Sequence, residues 1–152
     1  MAMANIFSKE VSDQVIERIN KLTASSQPQW GKMSVDKMLA HCSVTYEMVF
    51  EDKHKKPNAF SRFLIKLIVK NAVVNEKPYK KNSRTAPQFI ISDERKFDIE
   101  KPRLIEFIKK TQDLGAKHFD GKESLSFGAL TTTEWNNMFY KHLDHHLNQF
   151  GV

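Results

Sequence analysis

Cysteine is nearly absent: Cys42 is the chain's only one. That excludes an intramolecular disulfide framework and is consistent with a reducing, cytoplasmic location. Glycine and proline are also scarce, five of each in 152 residues. Few turn formers imply few, long elements. No apolar run reaches the roughly 20 residues needed to span a bilayer. The N-terminal residues Met1 to Glu10 hold no long apolar stretch of the signal-peptide kind. What is present suits one globular domain over residues 1–152: hydrophobic residues make up 40% and charged residues 28%.

The net charge is +6. The basic residues run from Lys9 to Lys141, with the densest patch, Lys77, Lys80, Lys81 and Arg84, in a segment without helical periodicity. No recognition-helix pattern lies beside it, so no nucleic-acid partner is expected, and no membrane partner either.

Apolar periodicity predicts an all-α chain. A first helix runs from about Ser8 to Leu22 on Val11, Val15, Ile16 and Ile19. A second runs from Ser34, a suitable N-cap, to about Glu51, with Met38, Leu39, Cys42, Tyr46 and Val49 on its apolar face. Asn58 can cap a third, Ala59 to about Val74. It is apolar nearly all round and is therefore expected inside a bundle, with a membrane-surface helix as the sharper alternative. His54, in the turn before it, is expected to face solvent. Residues 75–97 form a long aperiodic crossover, expected to lie over one pole of the bundle. Asp98 can cap a fourth helix stopped by Gly115. Cys42 reads as inert core packing.

The last helix carries the most informative residues. Thr131 and Glu134 have capping-box spacing, and Gly151 reads as a stop. Between them, His142 and His146 are four residues apart, about 40° around the axis and one turn along it. Both border an apolar face of Trp135, Phe139, Leu143 and Leu147, while His145 falls about 60° to the other side. Two imidazoles so spaced can reach one cation; two hydrated boundary histidines is the plainer reading. On the second helix His41 borders the core, where a single hydrogen bond would also account for it.

Taken together these segments resemble the DinB/YfiT-like superfamily of metalloenzymes, in particular a bacterial subgroup. The resemblance is carried by Trp30-Gly31-Lys32-Met33-Ser34, Met38-Leu39-Ala40-His41-Cys42, Thr85-Ala86-Pro87, Phe127-Gly128-Ala129-Leu130-Thr131 and the stretch from Lys141 to Gly151. It implies an up-down-down-up four-helix bundle with one additional helix and a long crossover loop. It also implies a divalent metal held by His41, His142 and His146. One departure is that relatives carry His-Pro before the Phe-Gly segment, where this chain has Ser124-Leu125.

Three neutral imidazoles suit zinc or nickel, or iron or copper, better than magnesium. Three protein ligands leave positions open, the catalytic pattern. The resemblance thus implies a metal-dependent transferase or hydrolase acting on a small molecule, with a low-molecular-weight thiol as a candidate co-substrate and a homodimer as a candidate assembly. The alternative is a non-catalytic helical binding or stress-response module whose metal site is vestigial or structural. No general base is identifiable; His145 is a candidate supporting group only.

Overall fold

The computed structural model describes residues 1–152. It is mostly helical. Six helices follow in order: α1 (Lys9–Asn20), α2 (Val35–Phe50), α3 (Ala59–Ile68), α4 (Lys70–Val74), α5 (Phe97–Phe119) and α6 (Thr132–Gln149). A 3-10 turn (Pro87–Phe89) sits in the crossover. A two-strand antiparallel hairpin, β1 (Glu123–Ser124) with β2 (Gly128–Ala129), precedes α6. No helix is long and apolar enough to cross a membrane.

Local chemistry explains most of the boundaries. The Ser8 hydroxyl accepts from the Val11 N–H, and the Asn58 side chain accepts from the Ser61 N–H. Thr131 and Glu134 complete the reciprocal capping box, Thr131 accepting from the Glu134 N–H and Glu134 from the Thr131 N–H. Ser34 occupies the N-cap position of α2 without a side-chain cap bond. α5 starts one residue before Asp98, which lies in its first turn, and runs past the expected stop. Gly115 (φ 74°) breaks the helical geometry, and a short helical stretch resumes after it. The left-handed φ is one that glycine adopts without a Cβ penalty.

Four helices, α1, α2, α5 and α6, pack on one another around a single core. Tyr46 of α2 stacks between Phe107 of α5 (5.7 Å) and Phe139 of α6 (4.9 Å). Trp135 stacks on Phe139 at 5.4 Å. Ile6 and Ala4 are tied to α6 through Asn136, which accepts from the Ile6 N–H and donates to the Ala4 carbonyl. Cys42 is buried among these groups, and burial pushes its thiol pKa up, so it is packing rather than a nucleophile.

The segment 59–74 corrects the sequence expectation. It is two helices, not one, and α3 is not a central member. No residue of α3 is buried, and its packing is mainly on α4. α5 packs on α1, α2 and α6 instead. Periodicity identifies an apolar helix but not which side it turns to the core.

α4 is fixed to α6 by polar ties. Lys141, 2% exposed, donates to the carbonyls of Ala72 and Asn75 and to the Asn75 side chain at 2.7–3.0 Å. Asn137 donates to the Val74 carbonyl at 2.8 Å. These groups close the C-terminal end of α4, where carbonyls lack helical partners. Burial lowers the Lys141 pKa to about 8, which still leaves it mostly protonated at neutral pH. Lys141→Met is expected to cost about 1–2 kcal/mol by leaving those acceptors without a donor, measurable as a lowered urea midpoint.

Candidate metal centre

His41 comes from the middle of α2, and His142 and His146 from successive turns of α6. Their ring nitrogens lie within 4.8 Å of one another, and Nε2 of His41 is 2.9 Å from Nε2 of His142. The pair on α6 and the single histidine on α2, about 100 residues away in sequence, are therefore brought together.

Each ring is held from behind through Nδ1. His41 Nδ1–H donates to the Phe89 carbonyl at 2.8 Å. His146 Nδ1–H donates to Gln149 Oε1 at 2.8 Å, and Gln149 Nε2 in turn donates to the Trp30 carbonyl at 2.8 Å. His142 Nδ1 is 3.1 Å from the Thr45 hydroxyl, which can donate or accept. A donor bond from Nδ1 fixes the tautomer that leaves Nε2 its lone pair, as in histidine metal ligands. For His142 the two tautomers are interchangeable. When its Nε2–H donates to His41, Thr45 donates to its Nδ1; when Nε2 is a ligand, Thr45 accepts instead.

The cluster disfavours charge. Burial lowers the His41 pKa, the Phe89 hydrogen bond opposes this, and His145 lowers it further. Burial, with His41, His146 and His145 nearby, holds His142 well below its ordinary value. Burial and His41 bring His146 down to about 3, against the opposing Gln149 bond. Neutral imidazoles with free Nε2 lone pairs are the state a transition metal needs.

Three groups that support the rings do not appear among the sequence expectations. Gln149 sits three residues after His146, so helical spacing alone could have suggested it, whereas Thr45 of α2 supports His142 of α6, a pairing that only the fold makes. The Phe89 carbonyl carries no such signal. The crossover does lie over this pole: the Phe89 ring centroid is 5.5 Å from His41 and 5.7 Å from His142. Gly31 (φ 77°) is also explained, since a Cβ there would lie 2.9 Å from Gln149 Nε2. The Trp30-Gly31 turn is thus shaped to the amide that holds His146.

His145 is outside the cluster, with its ring between Trp30 (5.8 Å) and Tyr79 (5.7 Å). Asp144 is bound to Arg18 at 2.8 Å and so is not a free base. His54 departs from expectation. It is not a free solvent-facing group but meets the buried carboxylate of Glu47 at 2.7 Å.

The fold and this cluster define a helical chain with three converging histidines, two of them buried and one half-buried. The chain belongs to the family described as Protein of unknown function (DUF1569), whose pattern matches residues 7–151. No curated protein and no solved structure matches it.

Proposed function

We propose that this chain is a divalent-metal-dependent enzyme of the DinB/YfiT-like kind, with His41, His142 and His146 as the metal ligands. The observation that carries the reading is the convergence of the three histidines, with each Nδ1 engaged and the rings held neutral. The bundle reading transfers to α1, α2, α5 and α6. Residues 21–34 and 120–131 join α1 to α2 and α5 to α6, shorter links than residues 51–96, which join α2 to α5 in a span that suits an up-down-down-up path.

Three imidazoles favour zinc or nickel, with iron and copper next. When bound, such an ion lowers the pKa of a coordinated water or thiol. The chain's own residues do the rest. Phe89, Thr45 and Gln149 orient the rings, and the crossover limits water access. A groove of about 270 Å³ is lined by Lys32, Met33, Lys37 and Thr85 and by Phe89, whose carbonyl holds His41. Its two lysines suit a small anionic substrate, and a low-molecular-weight thiol remains the co-substrate of choice for a transferase.

The test is metal content per chain in protein purified without an affinity tag. The wild type is expected to hold about one divalent ion. His142→Ala, reduced to two ligands, should lose most of it, whereas His145→Ala should keep it. Equal retention in the two variants would rule out the ligand assignment. A thiol-transfer screen on the metal-loaded protein then separates the enzyme from a non-catalytic metal-holding module.

A further inference from the structure

α3 turns its apolar side outward. Phe60 is 72% exposed, Phe63 63%, Leu67 69% and Ile68 72%, and Leu64 is exposed beside them. At about 100° per residue these five side chains span an arc of about 140°. The opposite side, with Ser61, Arg62 and Ile65, is the half-buried one that faces the protein. A helix in a water-soluble setting normally has the reverse orientation. Five large side chains on one convex helix form a contiguous apolar face, which marks an interaction site.

The charge around it is distinctive. Ten of the chain's 24 lysines and arginines, but only one of its 18 acidic residues, lie between positions 53 and 84. That stretch carries +9, and the rest of the chain −3. Three of the ten, Lys53, Arg62 and Lys70, are paired with carboxylates from outside the stretch, and Lys81 lies over the Trp30 ring. Lys55 and Lys56 are exposed in the turn before the α3 N-cap Asn58, and Lys66 flanks the apolar arc; none of the three has a carboxylate within ion-pair distance.

We propose that α3 and its basic flanks dock the protein on an anionic phospholipid surface. Phe60, Phe63, Leu67 and Ile68 enter the headgroup–acyl boundary, and the lysines meet lipid phosphates. An apolar face bordered by unpaired cations is the composition of an in-plane interfacial helix. A second copy of the chain is a poorer occupant, because a symmetric contact would oppose the unpaired Lys55, Lys56 and Lys66 of one copy with those of the other. Nucleic acid would use the charge but leave the apolar face uncovered. The inference is independent of the metal centre. It takes up the membrane-surface alternative that the sequence leaves open for this helix, in place of the expectation of no membrane partner.

Co-sedimentation of the full chain with phosphatidylcholine vesicles, with and without phosphatidylglycerol, tests this. Binding is expected only with the anionic lipid and should fall with added salt. Phe63→Ser/Leu67→Ser should weaken it roughly 30-fold or more, and Lys55→Glu/Lys56→Glu roughly tenfold or more. Ile99→Ser, which removes an exposed apolar side chain on α5, should leave it unchanged. The helical circular dichroism of each variant checks its fold, and the salt dependence of the wild type stands without any variant. Three outcomes overturn the proposal: no binding to anionic vesicles, equal binding to neutral ones, or a dimer that Phe63→Ser/Leu67→Ser splits.

Discussion

Acidifying the metal-free protein from neutrality to about pH 5 is expected to remove about 2 kcal/mol of folding stability through His146 alone. The sign follows from proton binding. His146 titrates at about 3 when folded, against 6.5 as a free side chain. Between those values the unfolded chain holds a proton that the folded chain does not. Stability is therefore complete above 6.5 and is lost progressively as pH falls toward 3. His41 and His142 are also lowered and act in the same direction. Glu47 adds a separate, more acidic window. Burial alone would raise its pKa, but hydrogen bonds from Lys53, His54 and Arg103 hold it below its ordinary value of 4.5. Its contribution is present above 4.5 and disappears only as pH falls through the lowered value. Urea midpoints at several pH values, with a chelator present, check this. His146→Leu should flatten the slope above pH 5, and an unchanged slope would refute the assignment. Added zinc or nickel should raise the midpoint near neutrality, reflecting about 2.7 kcal/mol of added stability at a hundredfold excess over Kd. It should fail to do so at low pH, where protons compete for the imidazoles.

The sequence was most informative where one element carried the whole signal. The HxxxH spacing and capping box of α6 needed only helix geometry, and both stand in the structure. His41 was a different case. Nothing local separates a ligand-like histidine from an edge histidine, and resemblance rather than spacing joined it to the pair. The backing groups depend on tertiary placement: the Phe89 carbonyl arrives from an aperiodic crossover, and the Gln149 amide is fixed by the Trp30-Gly31 turn. For α3, hydrophobicity gives the existence of an apolar face and not its direction. For His54, the partner Glu47 lies a turn before the end of α2 and projects into a cluster completed by α5, which no local pattern announces.

That cluster sets the second large effect. Arg103 of α5 lies 2.6 Å from Glu47 and 3.0 Å from Glu51, and 3.5 Å from Glu100. Glu47 and Glu100 are both buried. The guanidinium also lies over the Phe107 ring at 5.1 Å. Removing one partner of a buried ion pair costs about 3–5 kcal/mol when the remaining charge has no other partner. Here Lys53 and His54 still serve Glu47, and Arg95 still serves Glu100. Arg103→Ala is therefore expected to cost somewhat less, about 2–3 kcal/mol. Arg103→Lys should recover only part of that, because a single ammonium cannot reproduce the planar fork between carboxylates. The same α2 carries Glu47 and His41, yet Arg103 binds the end of the helix beyond the histidine. Metal content per folded chain should therefore stay at the wild-type level while the denaturation midpoint falls. A loss below about 0.5 kcal/mol, the scale of an ordinary surface substitution, would show that Arg103 does not hold α2 to α5. A loss of bound metal from the still-folded variant would show instead that this ion cluster also sets the position of His41.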